Sequence, residues 1–202
     1  MQEARKGMLL VISGPSGTGK GTLVERLLAE DPSFVFSISC TTRKPRDYEI
    51  PDVHYHFLDE AQFQALVEKD AFLEHATVHD HHYGTLKSDV YDQIEKGHNV
   101  ILDIDPQGAR NVMQKDPGCV SIFILPPSFQ ELRNRLHTRN TEDEEEINKR
   151  LNNARGEIKQ MHLYQYLLVN DQLETSMDLL RSIVKAEKQK SCRYFPSISE
   201  RE

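Results

Sequence analysis

The 202-residue sequence has no apolar run close to the roughly 20 residues that a membrane-crossing helix needs. Its first residues, Met1 to Gly7, lead into only a short apolar stretch, without a signal peptide's hydrophobic region or cleavage site. Positive charge is also scarce. Lys and Arg number 25 against 32 Asp and Glu, a formal net charge of −7. Coating a nucleic acid or an anionic membrane needs a basic surface, so neither is expected as a partner. A local group of arginines around an anionic ligand is compatible with the same balance. Cysteine is sparse too: Cys40, Cys119 and Cys192 are scattered, odd in number and without metal-ligand spacing. A reduced, cytoplasmic setting is the economical expectation. No internal repeat or low-complexity tract is apparent.

What is present suits one globular domain with insertions. A hydrophobic fraction of 38% with 28% charged residues of mixed sign is enough for a packed core and excludes a disordered chain. Monomer and homo-oligomer are equally compatible with it. Strand-like and helix-like segments alternate, which predicts an α/β fold with a parallel sheet. Met8 to Ile12, Val100 to Ile104, Val120 to Leu125 and Tyr166 to Val169 read as buried strands, with Phe34 to Ile38 a weaker one broken by Ser37. A helix is expected from Lys20 to about Glu30. Ser128 with Glu131, and Thr141 with Glu144, form capping-box patterns that open two more. The second carries Ile147, Leu151, Ala154, Ile158 and Met161 at helical spacing, and Leu173, Met177, Leu180 and Val184 repeat that spacing in a last helix. Residues 39–87 break the rhythm with Pro45, Pro51, clustered aromatics and most of the histidines. They read as an insertion with short strands and one helix, Glu60 to Val67, over the sheet's ligand-binding edge. Residues from Lys188 onward have no period.

Gly14-Pro15-Ser16-Gly17-Thr18-Gly19-Lys20 matches G-x-x-x-x-G-K, with an apolar strand before it and an amphipathic helix after it. Glycines let successive N–H groups turn around phosphate oxygens, and the helix N-terminus adds partial positive charge. Lys20 would place an ammonium between the terminal phosphates of a nucleoside triphosphate. The next residue is Gly21, which has no hydroxyl for Mg²⁺, so the metal would rely on Thr22, water and the triphosphate. This Gly-Lys-Gly-Thr order resembles the loops of several nucleoside monophosphate kinases and points away from a GTPase switch. Arg43 and Arg46, three apart beside several hydroxyls, suit bidentate grip on a phosphate dianion. Tyr55 and Tyr83 could add phenolic donors. Glu74, in a mostly apolar Phe72-Leu73-Glu74-His75-Ala76 setting, could accept from guanine's ring N–H and amine. Adenine lacks that ring donor and would leave part of a buried carboxylate unpaired, at about 1–3 kcal/mol.

From Gly7 to Glu187 the sequence resembles the guanylate kinase family. The likeness rests on Ser13 to Lys20, Thr41-Thr42-Arg43-Lys44-Pro45-Arg46, Tyr83-Gly84-Thr85, Ile101 to Ala109, Pro126-Pro127-Ser128 and Val169-Asn170-Asp171, in matching order. It implies a P-loop-type three-layer α/β fold. The core would be residues 1–38, 88–134 and 162–190, with a GMP-binding insertion at 39–87, a helical lid at 135–161 and a tail at 191–202. The implied reaction moves the γ-phosphoryl of ATP, with Mg²⁺, to GMP or dGMP. Ser39, Glu74, Thr85 and Asp105 would surround guanine. Arg43, Arg46, Tyr55 and Tyr83 would hold the GMP phosphate, and Asp103 would face magnesium through water. Arg139 and Arg150 would close on the transferring group, with Arg135 near the ATP.

The sequence departs from the family pattern in loops. Asp47-Tyr48 stands where Pro-Gly is usual, Pro51-Asp52-Val53-His54 replaces a Gly-containing turn, and Asn140 follows Arg139 where glycine is usual. His79-Asp80-His81-His82 reads as a solvated loop rather than a metal site. Two other functions fit parts of the pattern: a non-catalytic guanylate kinase-like binding module, which would typically lack a competent P-loop, and a kinase for another monophosphate, which Glu74 and Thr85 disfavour.

Overall fold

A computed structural model describes residues 4–78, 80–138 and 144–196. Along the chain run β1 (Ala4–Arg5), β2 (Leu9–Ser13), α1 (Lys20–Glu30), β3 (Phe34–Phe36), β4 (Ser39–Thr41), β5 (Tyr55–Phe57), α2 (Glu60–Glu68), β6 (Phe72–Val78), β7 (His81–Leu86) and α3 (Lys87–Glu95). There follow β8 (Asn99–Asp103), α4 (Pro106–Lys115), β9 (Val120–Leu125), α5 (Phe129–Thr138), α6 (Glu144–Ile158), a 3-10 turn (Met161–Leu163), β10 (Tyr166–Val169), α7 (Leu173–Lys188) and β11 (Tyr194–Phe195).

A five-stranded parallel sheet, ordered β10-β9-β2-β8-β3, forms the centre. β2 lies between two partners and buries all five of its residues, which is why it reads as a continuous apolar run rather than an alternating one. Its side chains nevertheless divide between two faces. Leu10 and Ile12 pack with Leu23 and Leu27 of α1 and Met177 and Leu180 of α7. Leu9 and Val11 pack with Val90 of α3, Val112 of α4 and Phe123. The result is the expected three-layer P-loop-type α/β architecture. All five strands are parallel, so Ser13, Asp103, Leu125 and Val169 reach the same edge, where ligands of open sheets gather.

Strand and helix limits differ from expectation in small, explicable ways. β8 stops at Asp103, one residue short, and Ile104 leads into the Asp105 cap of α4. β3 ends at Phe36, although Ser37 N–H still donates to Ile101 O at 3.1 Å. Met161 leaves α6 for the 3-10 turn. Ser128 caps α5, its Oγ accepting from Glu131 N–H at 3.0 Å, but Glu131 turns its carboxylate to Arg135 instead of completing the box. The Thr141 cap lies outside the described residues. Two helices without an apolar run of their own, α3 and α4, escaped the sequence reading.

A second, four-stranded sheet, β5-β4-β7-β6, stands apart from the first. Beneath it α2 inserts Phe63, whose ring stacks on Phe72 with centroids 4.5 Å apart. The histidine segment is a correction: it is not a loop but a hairpin. Asp80, at φ 63°, makes the turn, and His81 and His82 belong to β7, while His79 lies outside the described residues. His82 stacks on Phe63 at 5.2 Å and sits 3.3 Å from the Glu60 carboxylate. The described residues beyond α7 dock on their own chain. β11 pairs with β1, and Arg193 donates to the fully buried Glu187 carboxylate at 2.7 Å. Among the described residues no helix is long and apolar enough to cross a membrane.

Candidate active site

At the end of β2 the chain enters the glycine loop. Gly14, Gly17 and Gly19 have φ of 136°, 87° and 86°, values that L side chains rarely adopt. Space forbids a side chain as well: a Cβ would stand 2.3 Å from Ile124 O at Gly14 and 2.4 Å from Asn170 Nδ2 at Gly19. Left-handed residues of this kind let neighbouring N–H groups converge on an anion. Lys20 folds back over the loop, Nζ donating to Gly14 O at 2.6 Å and Pro15 O at 3.1 Å, and Thr18 Oγ1 donates to Pro15 O at 2.9 Å. Gly21 and Thr22 are exposed on the first turn of α1.

Asn170, which the sequence reading quoted without a role, fixes this loop. It is 6% exposed; its N–H donates to Leu125 O at 2.8 Å and its Nδ2 to Thr18 O at 2.7 Å. Arg135 is tied to the same segment, donating Nη1 to Asn170 O at 2.9 Å. Arg150 reaches the loop directly, with Nη1 donating to Ser16 Oγ at 3.3 Å. Arg139 lies outside the described residues.

A cavity of about 330 Å³ opens between the two sheets, lined by Ser39, Tyr55, Glu74, Tyr83, Asp103 and Asp105 among others. Glu74 is 7% exposed and accepts Thr85 Oγ1–H at 2.8 Å. Burial raises its pKa above the usual carboxylate range, against the pull of the Thr85 hydroxyl. Room for it comes from Gly108 in the first turn of α4, where a Cβ would lie 3.0 Å from Glu74 Oε2. Thr85 is fully buried and steadies the Glu74 carboxylate. Asp105 lines the cavity and is also the N-cap of α4, with Oδ1 accepting from Gln107 N–H at 2.7 Å and Gly108 N–H at 3.0 Å.

Asp103 joins loop and cavity. It lines the cavity, and its pKa is raised by burial but pulled down by the Lys20 ammonium. Glu157 of α6, missed in the sequence, feels the charges of the same place: burial raises its pKa, Lys20 lowers it and Asp105 raises it. Among the described residues no three acidic, His or Cys side chains gather as a metal cage. A magnesium ion does not need one, since it keeps waters and shares substrate phosphates with one or two carboxylates. Asp103, half-buried and close enough to Lys20 to feel its charge, fits that part, and Thr22 offers an exposed hydroxyl on the adjoining helix turn.

The two arginines expected at the acceptor phosphate lie outside the cavity lining. Both are engaged by protein. Arg43 forms a two-pronged pair with Glu49 at 2.8 and 2.9 Å, and its guanidinium stands 5.5 Å from the centre of the Tyr55 ring at the rim. Glu49 is held down to a pKa of about 2 by that guanidinium and by Arg46 N–H. Arg46 donates Nη1 to Tyr48 Oη at 2.9 Å. Glu49 and Tyr48 lie on a loop without periodicity, so only their spacing from the arginines could have pointed to them.

A glycine-rich phosphate loop at the carboxyl edge of a parallel sheet, linked by one aspartate to a polar cavity, defines a P-loop α/β protein with a nucleotide-sized second site. Comparison with known proteins narrows this class. The guanylate kinase family model matches residues 6–187. The guanylate kinase of Caldanaerobacter subterraneus subsp. tengcongensis is 47% identical over 188 residues, covering 93% of this chain and 91% of the relative. That of Clostridioides difficile is 44% identical over 197 residues, covering 98% and 96%. A crystal structure of guanylate kinase from Anaplasma phagocytophilum superposes with a TM-score of 0.75 at 34% identity, covering 96% of this chain and 92% of that one. The chain belongs to the guanylate kinase family.

Proposed function

We propose that the protein transfers the γ-phosphoryl group of ATP to GMP, and to dGMP, giving ADP and the guanosine diphosphate, and so returns GMP to the nucleotide pool. The observation that carries this reading is Glu74: a buried carboxylate, steadied by Thr85, on the wall of a cavity that adjoins the phosphate loop through Asp103. A carboxylate there can accept two hydrogen bonds from guanine, whereas adenine would leave it partly unpaired. Ser39 and Asp105 line the same cavity and would complete the base site.

Residues 14–22 would hold the triphosphate, Lys20 bridging its terminal phosphates once it leaves the loop carbonyls. Arg43, Arg46, Tyr55 and Tyr83 would hold the acceptor phosphate. Residues 39–87 would then act as the acceptor insertion and 135–161 as the lid, with Arg150 and Arg139 meeting the transferred group and Arg135 near the ATP. The acceptor oxygen is already ionised near neutral pH, so no strong general base is needed, and the residues position reactants and spread charge. Closing insertion and lid before transfer keeps out water, the unwanted acceptor. Asp103, through water, and Thr22 would hold Mg²⁺, which when bound neutralises charge on the phosphates. The cytoplasm is the setting in this reading, in keeping with the free thiols of Cys40, Cys119 and Cys192.

A coupled ADP-release assay across GMP, dGMP, AMP, UMP and CMP tests this. Turnover confined to GMP and dGMP is expected. A preference for another monophosphate overturns the substrate assignment, and binding without ADP release would mean a non-catalytic module.

A further inference from the structure

The acceptor arginines are presented by two adjacent side chains to which the reaction above assigns nothing. A guanidinium carries five N–H donors in one plane. In Arg43, Nη1 spends both of its own on protein, the Lys44 carbonyl at 2.7 Å and Glu49 Oε2 at 2.9 Å, and Nη2 gives one to Glu49 Oε1 at 2.8 Å. The other Nη2–H and the Nε–H lie side by side on a single edge, and the Tyr83 phenol, itself read as a phosphate donor, is the guanidinium's further side-chain partner. Two parallel donors on one edge are the fork that fits two phosphate oxygens. Glu49 therefore takes the end of the guanidinium and leaves its side. With its side chain only 4% exposed, Glu49 is walled in rather than waiting to be displaced. It also accepts Arg46 N–H at 2.7 Å, tying the second arginine's backbone to the first arginine's head.

Arg46 has its own partner in Tyr48, whose phenol oxygen accepts from Nη1 at 2.9 Å. An oxygen that accepts still has its own O–H to donate, and accepting from a cation strengthens that donor. Tyr48 is 66% exposed, so its O–H can meet an incoming anion.

We propose that Tyr48 and Glu49 are the positioning element of the acceptor-phosphate site: Glu49 turns Arg43 to offer its Nε and Nη2 edge, and Tyr48 aims Arg46 and adds a phenolic donor. This rests on the reading of Arg43 and Arg46 as the acceptor-phosphate receptor. Equilibrium titration of wild type, Glu49→Gln and Tyr48→Phe with GMP and with guanosine, which lacks the phosphate, tests it. GMP affinity is expected to fall about tenfold in Glu49→Gln and about threefold in Tyr48→Phe. Guanosine affinity and the KM for ATP should stay within about twofold of wild type, inside the fold-change of a few tenths of a kcal/mol. An equal loss for guanosine means a merely structural role and overturns the proposal, as does unchanged GMP binding in either variant. Should Glu49→Gln not fold, the exposed Tyr48→Phe decides alone. Wild type that binds GMP no tighter than guanosine would instead remove the underlying phosphate-site reading.

Discussion

The two halves of the site are built from different material. The glycine loop is a backbone cradle: left-handed glycines seat it against the Ile124 carbonyl, and the Asn170 side chain, just past the end of β10, pins Thr18 O. The acceptor side is made of side chains from β4, β5, β6, β7 and the loop between β4 and β5, and these hold one another. Arg43 rests on Glu49, Arg46 on Tyr48 and Glu74 on Thr85. A backbone cradle is shaped before any ligand arrives, whereas a side-chain receptor needs partners that keep its charges oriented and still leave donors over. In the proposed function the first recognises phosphate alone, and the second must also read a base.

Breaking the donor half should cost most. Lys20→Met removes the only side-chain charge the loop itself carries, and kcat should fall about 10³-fold while GMP affinity stays within about twofold. Steady-state rates and GMP titration check both numbers. An unchanged rate would remove Lys20 from the chemistry.

Next comes Glu74, proposed above to read the base. Glu74→Gln should lower kcat/KM for GMP about 10²-fold and narrow the preference over AMP. It should also change the pH response. Burial raises the Glu74 pKa, so acidification removes its ionised, doubly accepting form earlier than for an ordinary carboxylate. GMP affinity in wild type should therefore weaken as the pH is lowered from neutrality, and Glu74→Gln should flatten that slope. The stability sign is opposite. A raised native pKa favours the protonated form, so its contribution to ligand-free stability is present at low pH and is lost as pH rises through the native value. Thermal melts across pH on wild type and variant separate the two effects.

The smallest expected effect sharpens the contrast. Asn170→Ala leaves Thr18 O without its donor, and the KM for ATP should rise about fivefold with that for GMP unmoved. A melt should show about 1–3 kcal/mol of lost stability. Equal changes in both KM values would mean that the two halves are less separate than their construction implies.

The same contrast sets how much could be read in advance. The loop was legible because φ-demanding glycines, a lysine and flanking apolar periods all lie within one short stretch, and β9, β10 and α1 fell where their patterns placed them. The acceptor residues were legible as a set, through motif order, but their partners were not. Glu49 sits six residues from Arg43 on an aperiodic loop, and nothing local shows that its carboxylate turns back on the guanidinium. Asp105 illustrates another limit. Reading it as a base contact hid the Asp-Pro signal for the start of α4, although cap and contact draw on the same carboxylate. α3 begins after Leu86 without any side-chain cap, so it had no marker to find. The hairpin at Asp80 was mistaken because a histidine-rich polar run lacks the β-branched alternation of most strands.

Asp103 has one further consequence. It borders the cavity and feels the Lys20 charge, so an occupant that alters the field at one end changes the free energy of filling the other. Thermodynamic reciprocity then requires that each substrate shift the other's dissociation constant by the same factor. A half-buried carboxylate at the junction leaves the order of arrival to kinetics, while the energetic handshake between the two nucleotides follows from where that side chain stands.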